Sequence, residues 1–120
     1  MTSDIIHNIK KQQTFVMIKP DAVGRGLIGK IIDRFEQRQL KVVALKMVHA
    51  TREQIMVHYP SSDQTWVTRL GKKSLGTFED NGLDAKEFLG TNAPEEIGKK
   101  VLDYLIDYMT RGPLVAMVIQ

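Results

Sequence analysis

An α+β fold is predicted for this chain of 120 residues, because strand-like and helix-like segments alternate along it. Thr14 to Ile18 is β-branched and aromatic, as in a buried strand, and Lys19-Pro20-Asp21 ends it in a turn because proline cannot continue a central ladder. Leu114 to Ile119 is an uninterrupted apolar run, which is typical of a strand buried on both faces. The order strand, helix, strand, helices, strand leaves one strand edge without a partner. It fits a ferredoxin-like α/β sandwich with an antiparallel sheet, truncated at its C-terminal end so that the last strand and helices are missing.

The segments between these two strands supply the helices and one further strand. Apolar residues at helical spacing from Leu27 to Phe35 predict an amphipathic helix. A second strand is predicted from Leu40 to Ala50, and Thr51 is a good N-cap for a short helix from Arg52 to His58. A long helix is predicted to begin at Pro94, since the missing N–H of proline costs nothing in a first turn.

The whole chain, 1–120, is predicted to be a single incomplete domain, with a polar leader at residues 1–13. Residues 61–93 contain four glycines and no clear periodicity, so less regular structure is predicted there. Large apolar side chains in the same segment favour a folded excursion over a disordered linker.

Composition excludes several classes of protein. The chain has no cysteine, which excludes a disulfide scaffold, thiol catalysis and cysteine-bound zinc. The net charge of +3 is spread along the chain, and neither a dense basic run nor an aromatic-rich strand is present, so nucleic acid is not an expected partner. The longest apolar run is far too short to span a membrane, and the first residues do not resemble a signal peptide. A soluble cytoplasmic protein is therefore expected.

The strongest local signal for chemistry is Lys19, at the end of the first predicted strand. A lysine held at that point, with a glycine-containing turn and a helix behind it, can direct an ammonium group at a phosphate. A solvent-exposed lysine beside a proline-defined turn is an equally good interpretation of the residues alone. The segment matches neither the P-loop nor the dinucleotide-binding glycine pattern.

Three separate segments resemble the nucleoside diphosphate kinase family. The first is Phe15-Val16-Met17-Ile18-Lys19-Pro20-Asp21, followed by Arg25-Gly26-Leu27-Ile28-Gly29-Lys30. The second is the pair His58-Tyr59, and the third is Gly112-Pro113-Leu114-Val115-Ala116-Met117-Val118. They occur in the family's order and cover residues 14–60 and 102–119, which makes the resemblance specific.

The resemblance implies transfer of the γ-phosphate of a nucleoside triphosphate to a nucleoside diphosphate, with Mg²⁺, by a ping-pong route through a phosphohistidine. ATP and nucleoside diphosphates are the implied ligands, and a homo-oligomer is the implied assembly. Lys19 matches the family's phosphate-binding lysine, and Tyr59 matches a tyrosine that supports the lysine or the histidine. Arg25 and Asp21 are expected to hold the turn rather than to touch nucleotide.

The family's phosphate-accepting histidine lies in an Asn-x-x-His-Gly-Ser-like motif that is absent from this sequence. The three histidines present are His7, His49 and His58, and none lies in such a motif. No catalytic histidine and no metal ligand are therefore assigned, and the 120-residue chain is expected to be inactive alone. The alternative is a non-catalytic nucleotide-binding or assembly module of the same fold.

Residues 61–93 are interpreted as an insertion, because the family implies a much shorter connection that carries an aromatic residue stacking on the base. Helical register places Val101 near the position of that aromatic. Trp66, Phe78 and Phe88 are alternatives, although each is better explained as a local core residue.

Overall fold

A computed structural model describes residues 12–120, which form three strands and six helices. The predicted leader therefore lies outside the described residues except for positions 12 and 13. In chain order the elements are β1 (Thr14–Ile18), α1 (Pro20–Gly24), α2 (Ile28–Gln37), β2 (Val42–Val48), α3 (Arg52–His58), α4 (Gln64–Asp80), α5 (Ala85–Leu89), α6 (Pro94–Thr110) and β3 (Leu114–Ile119).

The described chain divides into two compact units. The first contains the residues up to Ala50 together with Arg111–Gln120, and the second contains Thr51–Thr110. The single domain and the insertion at 61–93 remain predictions, because the compactness of two parts does not show that either one folds alone.

The sheet of the first unit has the order β1-β3-β2, and β3 is antiparallel to both neighbours. Val115 therefore lies between Ile18 on one side and Met47 on the other. The central position suits β3, whose apolar side chains can be covered on both faces, and four of its six residues are buried. The mixed α+β class and the antiparallel sheet are confirmed.

Helices α1 and α2 pack on the sheet and complete the core of the first unit. The fully buried residues there are Ile18, Val115, Met117 and Ile119. Partly buried residues of both helices pack against them: Ala22, Val23, Ile28, Ile31, Ile32 and Phe35. The period of the α2 sequence therefore identified the correct face of that helix.

Two expectations about the first unit were wrong. The residues after Lys19 do not form a simple turn but the five-residue helix α1, in which Pro20 occupies the first position and needs no N–H partner. Strand β2 is shorter than the predicted range 40–50 and has a register shift between Val42 and Ala44, and its apolar centre is largely exposed.

The second unit contains the largest departure from expectation, because residues 64–80 form one helix of 17 residues rather than less regular structure. Close packing explains Gly71 in this helix and Gly98 in α6. A Cβ added at Gly71 would lie 1.8 Å from the carbonyl oxygen of Pro94, and one added at Gly98 would lie 2.0 Å from that of Val67. Glycine at these two positions lets the backbones of α4 and α6 approach closely.

Two predictions about helix N-termini in this unit are confirmed. Thr51 caps α3 in a capping box, in which its hydroxyl accepts from the Gln54 N–H while the Gln54 side chain accepts from the Thr51 N–H. Helix α6 begins at Pro94 as predicted.

Candidate functional site

Lys19 lies at the junction between β1 and α1. Its backbone is extended, and its carbonyl accepts a hydrogen bond from the Val23 N–H at 3.1 Å, so the main chain is held on both sides by regular structure. The preceding residue, Ile18, is fully buried, whereas Lys19 itself is exposed. Within residues 12–120 its ammonium group forms no ion pair with a carboxylate. The site therefore has a fixed backbone and an available positive charge.

The Gly112-Pro113 segment lies beside the same junction. A Cβ added at Gly112 would be 3.8 Å from the Cβ of Pro20, which is ordinary van der Waals contact. The pairing of β1 with β3 produces this neighbourhood, since Ile18 is opposite Val115. Two segments that are more than 90 positions apart in the sequence thus meet at one end of the sheet.

The backbone between Asp21 and Arg25 closes the short helix that follows Lys19. The Arg25 N–H donates to the Asp21 carbonyl at 3.0 Å. Gly26 then has a φ of +70°, a conformation that favours glycine. The roles of the Asp21 and Arg25 side chains remain predictions, since these contacts involve only the main chain.

Tyr59 ends helix α3 in the second unit, where its N–H donates to the Ile55 carbonyl at 2.9 Å. Its ring is half-buried and contacts two other rings. The His58 ring meets it edge-on, with centroids 5.0 Å apart, and the Trp66 indole stacks on it at 6.1 Å with an interplanar angle of 22°. Burial raises the pKa of the Tyr59 hydroxyl above its ordinary value. Tyr59 is therefore neutral and held by its neighbours.

The Trp66 contact was not anticipated from sequence, although one local signal pointed to the position of this residue. Asp63 caps helix α4, and its carboxylate accepts from the N–H groups of Thr65 and Trp66 at 3.0 and 3.3 Å. An aspartate N-cap sets the residue at which a helix begins, and it thereby sets the position of an aromatic residue in the first turn. The turn before helix α4 decides which ring the Trp66 indole contacts.

The two predicted site residues belong to different units, Lys19 to the first and Tyr59 to the second. His58 lies at the end of α3 with its ring against Tyr59, and His7 lies outside the described residues. His49 is exposed, directly after β2.

The other aromatic candidates have a different environment. Phe78 and Phe88 pack against each other, with centroids 5.9 Å apart, and Phe88 remains 60% exposed. Val101 is half-buried on α6.

No group of three or more histidine, aspartate or glutamate side chains that could hold a metal ion occurs among residues 12–120. Over the same range, every helix is too short or too polar to cross a lipid bilayer.

Comparison with known proteins identifies relatives of the chain. The sequence profile of the family described as nucleoside diphosphate kinase matches residues 12–69. A nucleoside diphosphate kinase from Pyrobaculum aerophilum is 46% identical over 109 residues, which is 91% of this chain and 59% of that protein. One from Brugia malayi is 38% identical over 108 residues, which is 90% of this chain and 48% of that protein. The crystal structure of an NDP kinase from Pyrobaculum aerophilum superposes with a TM-score of 0.83 at 44% identity, over 90% of this chain and 59% of that one.

This chain is similar to nucleoside diphosphate kinases over 90% to 91% of its length. The resemblance drawn from the three sequence segments is thereby confirmed, and the family is one of enzymes. The chain spans between 48% and 59% of the lengths of these two curated relatives.

Proposed function

We propose that this chain supplies nucleotide-binding residues of a nucleoside diphosphate kinase, which transfers the γ-phosphate of a nucleoside triphosphate to a nucleoside diphosphate. The observation that carries the proposal is the exposed ammonium of Lys19 on a rigid strand–helix junction beside Gly112-Pro113, in a chain 46% identical to a protein with that name. A supporting part in nucleotide binding is proposed for Tyr59, as the resemblance to the family implies.

The chemistry requires little of Lys19 beyond position and charge. In the first half of a ping-pong cycle, a histidine nitrogen bonds to the γ-phosphorus as the bond to the β-phosphate oxygen breaks and the diphosphate leaves. In the second half, a β-phosphate oxygen of another diphosphate attacks the phosphohistidine and releases the imidazole. An ammonium group beside the phosphate oxygens neutralises charge throughout, which is the main source of catalysis in phosphoryl transfer.

The accepting histidine is proposed to lie outside residues 1–120. Of the three histidines present, His58 is packed against the Tyr59 ring, and none lies in the family's phosphohistidine motif. The 120-residue chain is accordingly proposed to bind nucleotide without turning it over.

Mg²⁺ is proposed to arrive on the nucleotide phosphates. This ion keeps several waters and is held in such enzymes by substrate phosphates with few protein carboxylates.

A ferredoxin-like sandwich, a homo-oligomer and a cytoplasmic location complete the proposal. Within residues 12–120, strand β1 pairs on one edge only, which leaves a site for the further strand that a ferredoxin-like sheet needs. Phe15, Leu45 and Met47 are each more than half exposed, and such side chains favour self-association.

Binding of Mg·ADP to the 120-residue chain, measured by calorimetry, tests the role of Lys19. Lys19→Gln should weaken binding about tenfold, as expected for loss of one charge-assisted contact to phosphate. Lys46→Gln, which removes the same charge from exposed strand β2, is the matched control and should leave binding unchanged. Equal affinities for the two variants would refute the role of Lys19.

Labelling with ATP that carries a radioactive γ-phosphate tests the absence of the nucleophile. We expect no acid-labile phosphoenzyme from the 120-residue chain. Label that disappears in His49→Gln or His58→Gln would show that a histidine of this chain is the acceptor. Lys19-dependent binding without label in the complete gene product would favour the alternative, a non-catalytic nucleotide-binding module.

A further inference from the structure

The region between helices α3 and α4 holds one aromatic contact to which no role has been given so far. The Tyr59 and Trp66 rings stack across the turn that joins α3 to α4 in the second unit. The family resemblance gives Tyr59 a supporting role, whereas Trp66 belongs to the segment 61–93 and is only one of several aromatic residues considered for stacking on the base.

We propose that Trp66 is a positioning residue, which holds the Tyr59 ring in the orientation that it uses in nucleotide binding. The inference rests on the proposed function, because it acts through Tyr59. It gives the start of the segment 61–93 a task in nucleotide binding.

The main chain of each aromatic residue is held independently of the other, so the local backbone sets where the two side chains start. Tyr59 is held at the end of α3 by its hydrogen bond to the Ile55 carbonyl. Trp66 is held in the first turn of α4 by the Asp63 carboxylate.

The turn between the rings is also closed by hydrogen bonds. The Ser61 N–H donates to the Tyr59 carbonyl and the Ser61 hydroxyl donates to the Met56 carbonyl, both at 2.6 Å, and the Asp63 N–H donates to the Pro60 carbonyl at 3.1 Å. The turn therefore sets the spacing of the rings, and the nearly parallel planes leave Tyr59 little freedom to rotate toward the indole. The His58 ring restricts it from a second direction.

The stack also argues against Trp66 as the residue on which the base lies. One face of the indole is covered by Tyr59, and the residue as a whole is half-buried. Its contribution to binding is therefore expected to pass through the tyrosine.

The affinity of the 120-residue chain for Mg·ADP tests whether Trp66 acts through Tyr59 or contacts the base itself. Trp66→Leu keeps an apolar side chain but removes the stack, and we expect it to weaken binding about threefold to tenfold, the range of an aromatic pair. Trp66→Phe should restore binding to within about twofold, because an aromatic ring at that position can still stack. In the background of Tyr59→Leu, Trp66→Leu should have no further effect.

Phe78→Leu is the matched control, since it removes an aromatic contact at the other end of the same helix. It should leave nucleotide affinity unchanged. Circular dichroism confirms that each variant is folded. Should Trp66→Leu fail to fold, Trp66→Met, which keeps more apolar volume, takes its place with the same expectation.

Fluorescence gives a second readout, because Trp66 is the only tryptophan in the chain. Tyr59→Leu should change its emission without nucleotide, and Mg·ADP should change it in the unsubstituted chain and in Phe78→Leu. If the Trp66 emission changes neither in Tyr59→Leu nor on addition of Mg·ADP, the inference is overturned.

The failures of the two proposals are distinguishable. Binding that depends on Lys19 and Tyr59 but is unaffected by Trp66→Leu removes the positioning role and leaves the proposed function intact. Binding that is insensitive to Lys19→Gln removes the proposed phosphate site. Absence of any Mg·ADP binding by the unsubstituted chain overturns both.

Discussion

The two units of the chain bury their apolar surface in different ways. In the first unit, β3 is buried at the centre of the sheet, while edge strands β1 and β2 carry exposed side chains such as Phe15 and Leu45. In the second unit, α4 and α6 approach until glycine is required at Gly71 and Gly98. A sheet core tolerates changes at its edges, whereas backbones in contact tolerate no added atom at the contact. The stability of the second unit is therefore expected to be most sensitive at single positions such as these glycines. In the first unit, the cost of a substitution is expected to depend on whether the residue lies in the central strand or in an edge strand.

Gly98→Ala should have the largest effect on stability. The new Cβ would meet the Val67 carbonyl, and backbone cannot move aside as a flexible side chain can, so we expect a loss of more than ~3 kcal/mol in the free energy of unfolding. Gly76→Ala is the control on α4, because no atom lies within 4 Å of its added Cβ, and it should be neutral or stabilising by up to ~1 kcal/mol. Urea unfolding measures both. Equal free energies would show that α4 and α6 are not in close contact.

Met117→Ala should cost about 3 kcal/mol, because this side chain is only 1% exposed at the centre of the first unit. Met47→Ala, in the neighbouring edge strand, removes the same atoms from a side chain that is 55% exposed and should cost less than ~1 kcal/mol. Amide hydrogen exchange should report the loss in β1 and β3. Similar costs for the two variants would contradict the difference between centre and edge.

Thr51→Ala should destabilise the second unit by about 1 kcal/mol, through loss of the N-cap of α3. Thr51→Ser keeps the hydroxyl and should recover most of that stability. Thermal unfolding of the three chains provides the measurement. A serine variant as unstable as the alanine variant would exclude the capping box as the cause.

The smallest expected effect is alkaline sensitivity at Tyr59. Because burial raises the pKa of its hydroxyl, the folded state holds this proton more tightly than the unfolded state. The associated stability is fully present below the unfolded pKa of about 10 and is lost as the pH rises through the folded value. The chain should therefore lose more stability between about pH 9 and about pH 11 than Tyr59→Phe does. Parallel losses would show that the ring is solvated.

Local signals identified most elements because their causes lie within a few residues. β1 has the predicted bounds, as do α3 with its Thr51 cap and α6 beginning at Pro94. Lys19 was singled out as the residue following a strand, and the structure places it there, exposed. The partnership of Tyr59 with Trp66 was not foreseen, since a stack between two rings depends on the path of the turn between them.

The glycines show why the helix at residues 64–80 could not be predicted from the sequence. In sequence, the four glycines of 61–93 indicate weak helix formation, and this interpretation produced the wrong expectation for residues 64–80. In the structure, Gly71 is required because helix α6 lies against it. This requirement comes from the packing of α4 on α6 and is not visible in the sequence of α4 alone.

The sequence by itself determined the position and type of β1, α2, α3, α6 and β3, the Thr51 N-cap, the resemblance to nucleoside diphosphate kinases and the candidate Lys19, because periodicity, proline placement and short motifs are local information. Only the tertiary structure decided that β3 is central, that α4 is a helix and that Trp66 covers Tyr59. Each of these depends on a partner distant along the chain or on the path of a turn, and the free energy of such contacts exceeds local preference.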